Sequence, residues 1–118
     1  MELREAQVVD YFVRWLEAEG WRVDLEVDWA DIVATRDGRT FVAEAKGTMT
    51  SPGLDVDTAY GQLLRRMRDD ESTTYAIVVP RGATRAALRV PDRPGKLSAS
   101  VYSVDEDGTV RLESGVPL

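Results

Sequence analysis

Asp31 and the run Glu44-Ala45-Lys46 are the residues of this chain whose types and spacing lend themselves to chemistry. Side chains in a strand alternate faces with a period of two, so Glu44 and Lys46 point one way and Ala45 the other. Asp31 opens the apolar run Ile32-Val33-Ala34, and twelve residues separate it from Glu44. Between them lies Arg36-Asp37-Gly38-Arg39, whose Asp-Gly pair favours a tight hairpin. Folded back in that way, the partner strand carries Glu44 and Lys46 to the end where Asp31 stands. Two carboxylates can hold a hard divalent cation, which polarises a phosphoryl oxygen and acidifies a water, while an amine orients that water or balances developing charge. Hydrolysis of a phosphodiester calls for this set of parts.

The composition narrows the alternatives. The 118 residues include no Cys and no His, which excludes Cys/His zinc sites, disulfides, Ser-His and Cys-His nucleophile pairs and an imidazole base. Any metal is then held by oxygen, which favours Mg²⁺, Mn²⁺ or Ca²⁺. A net charge of −6, from 21 acidic and 15 basic residues, argues against coating nucleic acid by charge alone, though not against a metal-assisted enzyme. Of the basic residues thirteen are Arg and two are Lys, Lys46 and Lys96, so the candidate site uses a compact amine where the rest of the chain prefers guanidinium. No run approaches the roughly 20 apolar residues of a membrane span, and no leader pattern opens the chain; a soluble cytoplasmic protein that engages no membrane is the expectation.

The elements that must position these residues follow from periodicity. Residues 2–19 read as an amphipathic helix, with Val9, Phe12 and Leu16 on one stripe and Gly20 as its stop. Glu5, seven residues before Phe12, lies on that stripe. Trp21–Val27 alternates as a strand, followed by the hairpin of 30–35 and 40–46. A second helix is predicted from about Val56 to Asp69, with Asp55 as N-cap and Val56, Tyr60, Leu63, Leu64 and Met67 on its apolar side. Thr74–Val79, ended by Pro80, reads as a buried strand parallel to a neighbour. A short helix over Ala83–Arg89, stopped by Pro91, Pro94 and Gly95, and a hairpin of 100–104 with 109–113 complete the chain. The whole is expected to be one α/β domain over 1–118, with a mixed four- to five-stranded sheet flanked by helices.

Asp31, the twelve-residue gap and Glu44-Ala45-Lys46, set on a hairpin after one helix and before another helix and strand, resemble the PD-(D/E)XK nuclease superfamily over about Glu5 to Val79. Ala30 stands where the name-giving proline would precede the aspartate. The resemblance implies a restriction-endonuclease-like fold and a Mg²⁺- or Mn²⁺-dependent endonuclease acting on DNA. It implies Asp31, Glu44 and the carbonyl of Ala45 as metal ligands and Lys46 as the residue that positions the water. Glu5 and Gln62 match a first-helix glutamate and a second-helix glutamine that many members add. Cutting both strands with one site per chain suggests a homodimer.

The same residues have plainer uses. Glu44 and Lys46 suit a solvent-facing charged pair worth about 0.2–1 kcal/mol. Asp31 suits a strand start, with Asp28 as its rival for the catalytic role. Glu5 suits the positive end of a helix dipole, and Gln62 a half-exposed helix surface. Arg65, Arg66, Arg68, Arg81, Arg85, Arg89 and Lys96 form either a phosphate-facing rim or a solvated face. Trp15, Trp21 and Trp29 read as core or as a subunit contact. A nuclease fold retained as a non-catalytic binding or regulatory subunit, working with a recombination or restriction partner, is the competing function. A purely structural subunit is a third.

Overall fold

A computed structural model describes residues 2–27, 30–48, 52–68, 71–89 and 99–118. Asp28, Trp29, Asp69, Pro91, Pro94, Gly95 and Lys96, all named above, lie outside them. The order of elements is α1 (Glu5–Ala18), β1 (Arg22–Val27), β2 (Ala30–Arg36), β3 (Arg39–Ala45), α2 (Pro52–Arg66), β4 (Thr73–Pro80), a 3₁₀ turn (Arg81–Ala83), α3 (Thr84–Leu88), β5 (Ala99–Val104) and β6 (Val110–Ser114).

The strands form one six-stranded sheet in the order β1-β2-β3-β4-β5-β6. β1, β2 and β3 are an antiparallel meander, β3, β4 and β5 run parallel, and β6 returns antiparallel to β5. The sheet is mixed and flanked by helices, but it has six strands rather than four or five. The closing hairpin accounts for the difference, because β5 pairs with β4 from Tyr75↔Ala99 to Pro80↔Val104 and so extends the central sheet.

The turn between β2 and β3 is the Asp37-Gly38 pair, with φ of 51° and 77°. Two successive left-handed residues make the turn whose twist matches that of a hairpin, and Asp-Gly tolerates it. The turn sets the register, Arg36↔Arg39 through Ile32↔Ala43.

Both sheet faces are covered. The two parallel crossovers step across the sheet in one direction, and right-handed connections then place α2 and α3 on one face. That core contains Val56, Ala59, Tyr60 and Leu63 of α2 against Tyr75, Ile77, Val79 and Val101. α1, which belongs to no crossover, covers the other face with Val8, Phe12 and Leu16. Its floor is four alanines, Ala34, Ala43, Ala45 and Ala76, into which the rings of Phe12, Phe41 and Tyr102 fit. The centroids of Phe12 and Tyr102 are 5.2 Å apart in an edge-on contact, a geometry that aromatic quadrupoles favour.

Several boundaries differ from those the periodicity predicts. α1 begins at Glu5 rather than residue 2, because Leu3 is bound elsewhere: its N–H donates to Thr48 Oγ1 (2.8 Å) and its carbonyl accepts from the Thr48 N–H (2.7 Å). The buried stripe of α1 is Val8, Phe12 and Leu16, with Val9 only half-buried. α2 starts at Pro52, so Asp55 is a first-turn acid and not the N-cap. Proline lacks the N–H that a first turn leaves unbonded anyway, and suits that position. Leu64 is exposed, and Ala59 takes its place on the buried side. Trp21 is buried and Trp15 packs on Phe12 and Tyr102, both as core residues.

Candidate functional site

β3 is apolar on its α1 face, where Phe41, Ala43 and Ala45 are buried. Its other face carries Val42 under α2 and then Glu44, which is 2% exposed. One step beyond Ile32↔Ala43 in the register, Asp31 comes opposite Glu44. Asp31 is tied there, since its Oδ2 accepts a hydrogen bond from the Ala45 N–H at 2.8 Å. The Asp31 and Glu44 carboxyls stand close enough that the charge of Asp31 acts on Glu44.

Lys46 is the first residue past β3, and its N–H donates to the Val78 carbonyl (3.0 Å), which holds the chain in line with the strand. Its side chain is half-buried, and its charge acts on both Glu44 and Glu5. Lys46 therefore shares an end of the sheet with both carboxylates.

Glu5 reaches this end through an unusually close approach of backbone to backbone. A β-carbon at Gly47 would come within 2.8 Å of the Leu3 carbonyl oxygen and would press on the backbone nitrogen of Glu5. Only glycine lets the loop after β3 sit against the start of α1. Partial burial raises the Glu5 pKa, the charge of Asp31 raises it further, and Lys46 opposes both. Among the described residues, no group of three or more Asp or Glu side chains is arranged to hold a metal ion. Asp31 and Glu44 are a pair, and Glu5 interacts by charge with Asp31 and Lys46.

Arg66 stands where its run of arginines does not lead one to expect it. Rather than joining a phosphate-facing rim, its Nε lies 3.1 Å from Glu44 Oε1, with the arginine side chain 18% exposed. Its Nη1 donates to the Gln62 carbonyl at 2.7 Å. The main chain of Gln62 thus anchors Arg66. A signal for Arg66 was present: with Val56, Ala59 and Leu63 it falls at i, i+3, i+7 and i+10, on the buried stripe of α2.

Glu44 has a pKa pushed up to about 7. Burial is the main cause, followed by the negative charge of Asp31; Arg66 and Lys46 pull it down. Two crowded carboxyls of this kind hold a proton between them near neutral pH. A divalent cation would relieve the same repulsion, and Glu44 Oε1 is a buried oxygen with no aligned hydrogen bond. The donor set, all oxygen, fits a hard cation.

The chain matches no family model, no curated protein and no solved structure. No helix among the described residues is long and apolar enough to cross a membrane.

Proposed function

We propose that this chain is a metal-dependent endonuclease of the PD-(D/E)XK type, hydrolysing phosphodiester bonds of DNA in the cytoplasm and acting as a homodimer to cut both strands. The observation that carries this reading is the cross-strand meeting of Asp31 with Glu44, with Lys46 at the same end of the sheet. The order of elements supports it as well, with a hairpin that follows one helix and precedes another helix and a parallel strand.

In this reading Asp31, Glu44 and the carbonyl of Ala45 would hold Mg²⁺ or Mn²⁺, which when bound supplies charge to a phosphoryl oxygen and makes a water more acidic. Lys46 holds the attacking water by hydrogen bonding and offsets negative charge that builds on the phosphate. The Ala45 N–H fixes the orientation of Asp31, so the carboxylate does not have to be ordered when substrate arrives. Glu5 adds negative charge beside Lys46.

The Arg66–Glu44 pair favours a second reading, in which the guanidinium replaces the metal permanently and the fold serves as a non-catalytic partner. Calorimetric titration of Mn²⁺ into wild type and Glu44→Ala separates the two, together with nicking of supercoiled plasmid and branched DNA in Mg²⁺. The nuclease reading expects Mn²⁺ binding that Glu44→Ala abolishes, and nicking by the wild type. Absence of both would leave the non-catalytic reading standing.

A further inference from the structure

Among the described residues, five charged side chains act on one another at this end of the sheet: Glu5, Asp31 and Glu44, with Lys46 and Arg66. With every carboxyl ionised, as cation binding requires, their formal sum is −1. A divalent cation added to all five would turn it to +1, in a setting where half-buried charge is poorly screened. If Arg66 withdrew at the same time, the sum would be zero. Arg66 is also the member best able to withdraw. The main chain of Lys46 is held at the end of β3, where its N–H donates to the Val78 carbonyl. Arg66 reaches Glu44 with a long side chain from the last turn of α2, 18% exposed, with its Nε 3.1 Å from Oε1, while its Nη1 bond to the Gln62 carbonyl stays within its own helix.

We propose that Arg66 is an internal counter-ion that competes with the divalent cation for Glu44: its guanidinium keeps the carboxylate in place while no cation is bound and leaves Glu44 when the cation enters. The idea rests on the reading of Asp31 and Glu44 as cation ligands. Its consequence is a site that stays folded and neutralised without metal, at the cost of weaker metal binding. Arg66 is a positioning residue here, since it acts through Glu44.

The main test compares Mn²⁺ affinity in wild type and Arg66→Gln by calorimetry, with thermal unfolding measured alongside. Competition expects Arg66→Gln to bind Mn²⁺ at least roughly tenfold more tightly than wild type. It also expects the variant to melt lower without metal and to gain more than wild type on adding Mn²⁺. A merely structural Arg66 would lower the melting temperature with no gain in affinity, and equal affinities would overturn the proposal while leaving the cation site intact. No binding by either protein would overturn the cation site and this proposal together. A second measurement needs no variant: the Nε–H resonance of Arg66 in ¹⁵N-labelled wild type should shift in step with saturation by diamagnetic Mg²⁺. A signal that stays in place while the site saturates would contradict the exchange.

Discussion

β3 presents two faces that solve different problems. Toward α1 it offers Phe41, Ala43 and Ala45, all buried, to an aromatic cluster. Toward α2 it offers Val42 and then Glu44, buried beside Asp31 and Arg66. The first face gains stability from area and close packing. The second leaves a carboxyl in a place that disfavours its charge, an arrangement that stability alone does not select. One strand thus anchors the fold on one side and holds strained electrostatics on the other, and the anchoring is what keeps the charges together. The difference also divides α2 along its length, because Val56, Ala59 and Leu63 pack as ordinary core whereas Arg66, on the same stripe, meets the carboxylate.

The largest effect should come from the apolar face. Phe12→Ala removes a ring that touches Trp15, Phe41 and Tyr102, and urea unfolding should show a loss of about 3–5 kcal/mol. Lys46→Ala, at the edge of the charged face, should change stability by less than about 1 kcal/mol. Comparable losses in the two variants would break the division of labour between the faces.

Next in size is the dependence of stability on pH. The folded-state pKa of Glu44, about 7, lies above its ordinary value of 4.5. Below pH 4.5 the group is protonated in both states and its contribution is fully present. Between 4.5 and 7 the unfolded chain releases a proton that the folded chain keeps, so stability falls as pH rises, and above 7 the contribution is gone. Wild type without divalent cations should lose on the order of 1–3 kcal/mol from this group across that window. Glu44→Gln should remove that part of the slope in urea titrations at a series of pH values. An unchanged slope would mean that Glu44 is better solvated than its 2% exposure indicates.

The smallest effect sharpens the comparison within the α2 face. Tyr60 donates its hydroxyl to the Ala87 carbonyl at 2.8 Å, and burial raises its pKa. Tyr60→Phe should cost about 1 kcal/mol by thermal unfolding and should leave Mn²⁺ affinity unchanged, since Tyr60 packs in the core that joins α2 to α3. A change in affinity would mean that this core and the carboxylate site behave as one unit.

The sequence makes some of this plain and hides the rest for physical reasons. Asp37-Gly38 dictates the hairpin, and the hairpin dictates that Asp31 faces Glu44, so that pairing is local and readable. The parallel strand β4 announces itself by an unbroken apolar run closed by Pro80. The addition of β5 to β4 is a long-range pairing that no local signal encodes, and the strand count expected from sequence is too low for that reason. The start of α2 is misplaced because Asp55 is a good cap in isolation, whereas Pro52 opens the helix one turn earlier. Arg66 is hidden by its neighbours Arg65 and Arg68: three arginines in four residues read as a solvated face, and only its place on the α2 stripe marks it as different. Gly47 is equally silent in sequence, since its necessity comes from the backbone of Leu3 to Glu5, which packs on it from more than forty residues away.

The most direct test of the central claim is Mg²⁺-dependent nicking of plasmid and branched DNA by wild type and Lys46→Arg, with Mn²⁺ affinity measured for both. A planar guanidinium keeps the charge but puts a wide, fixed fork where a compact amine is needed to hold a water. A nuclease site predicts nicking by the wild type, a loss of at least roughly a hundredfold in Lys46→Arg, and Mn²⁺ binding retained in both, because the oxygen ligands are untouched. Full activity in Lys46→Arg would reduce Lys46 to a partner in a salt bridge, and a wild type that binds Mn²⁺ but nicks neither substrate would contradict the claim outright.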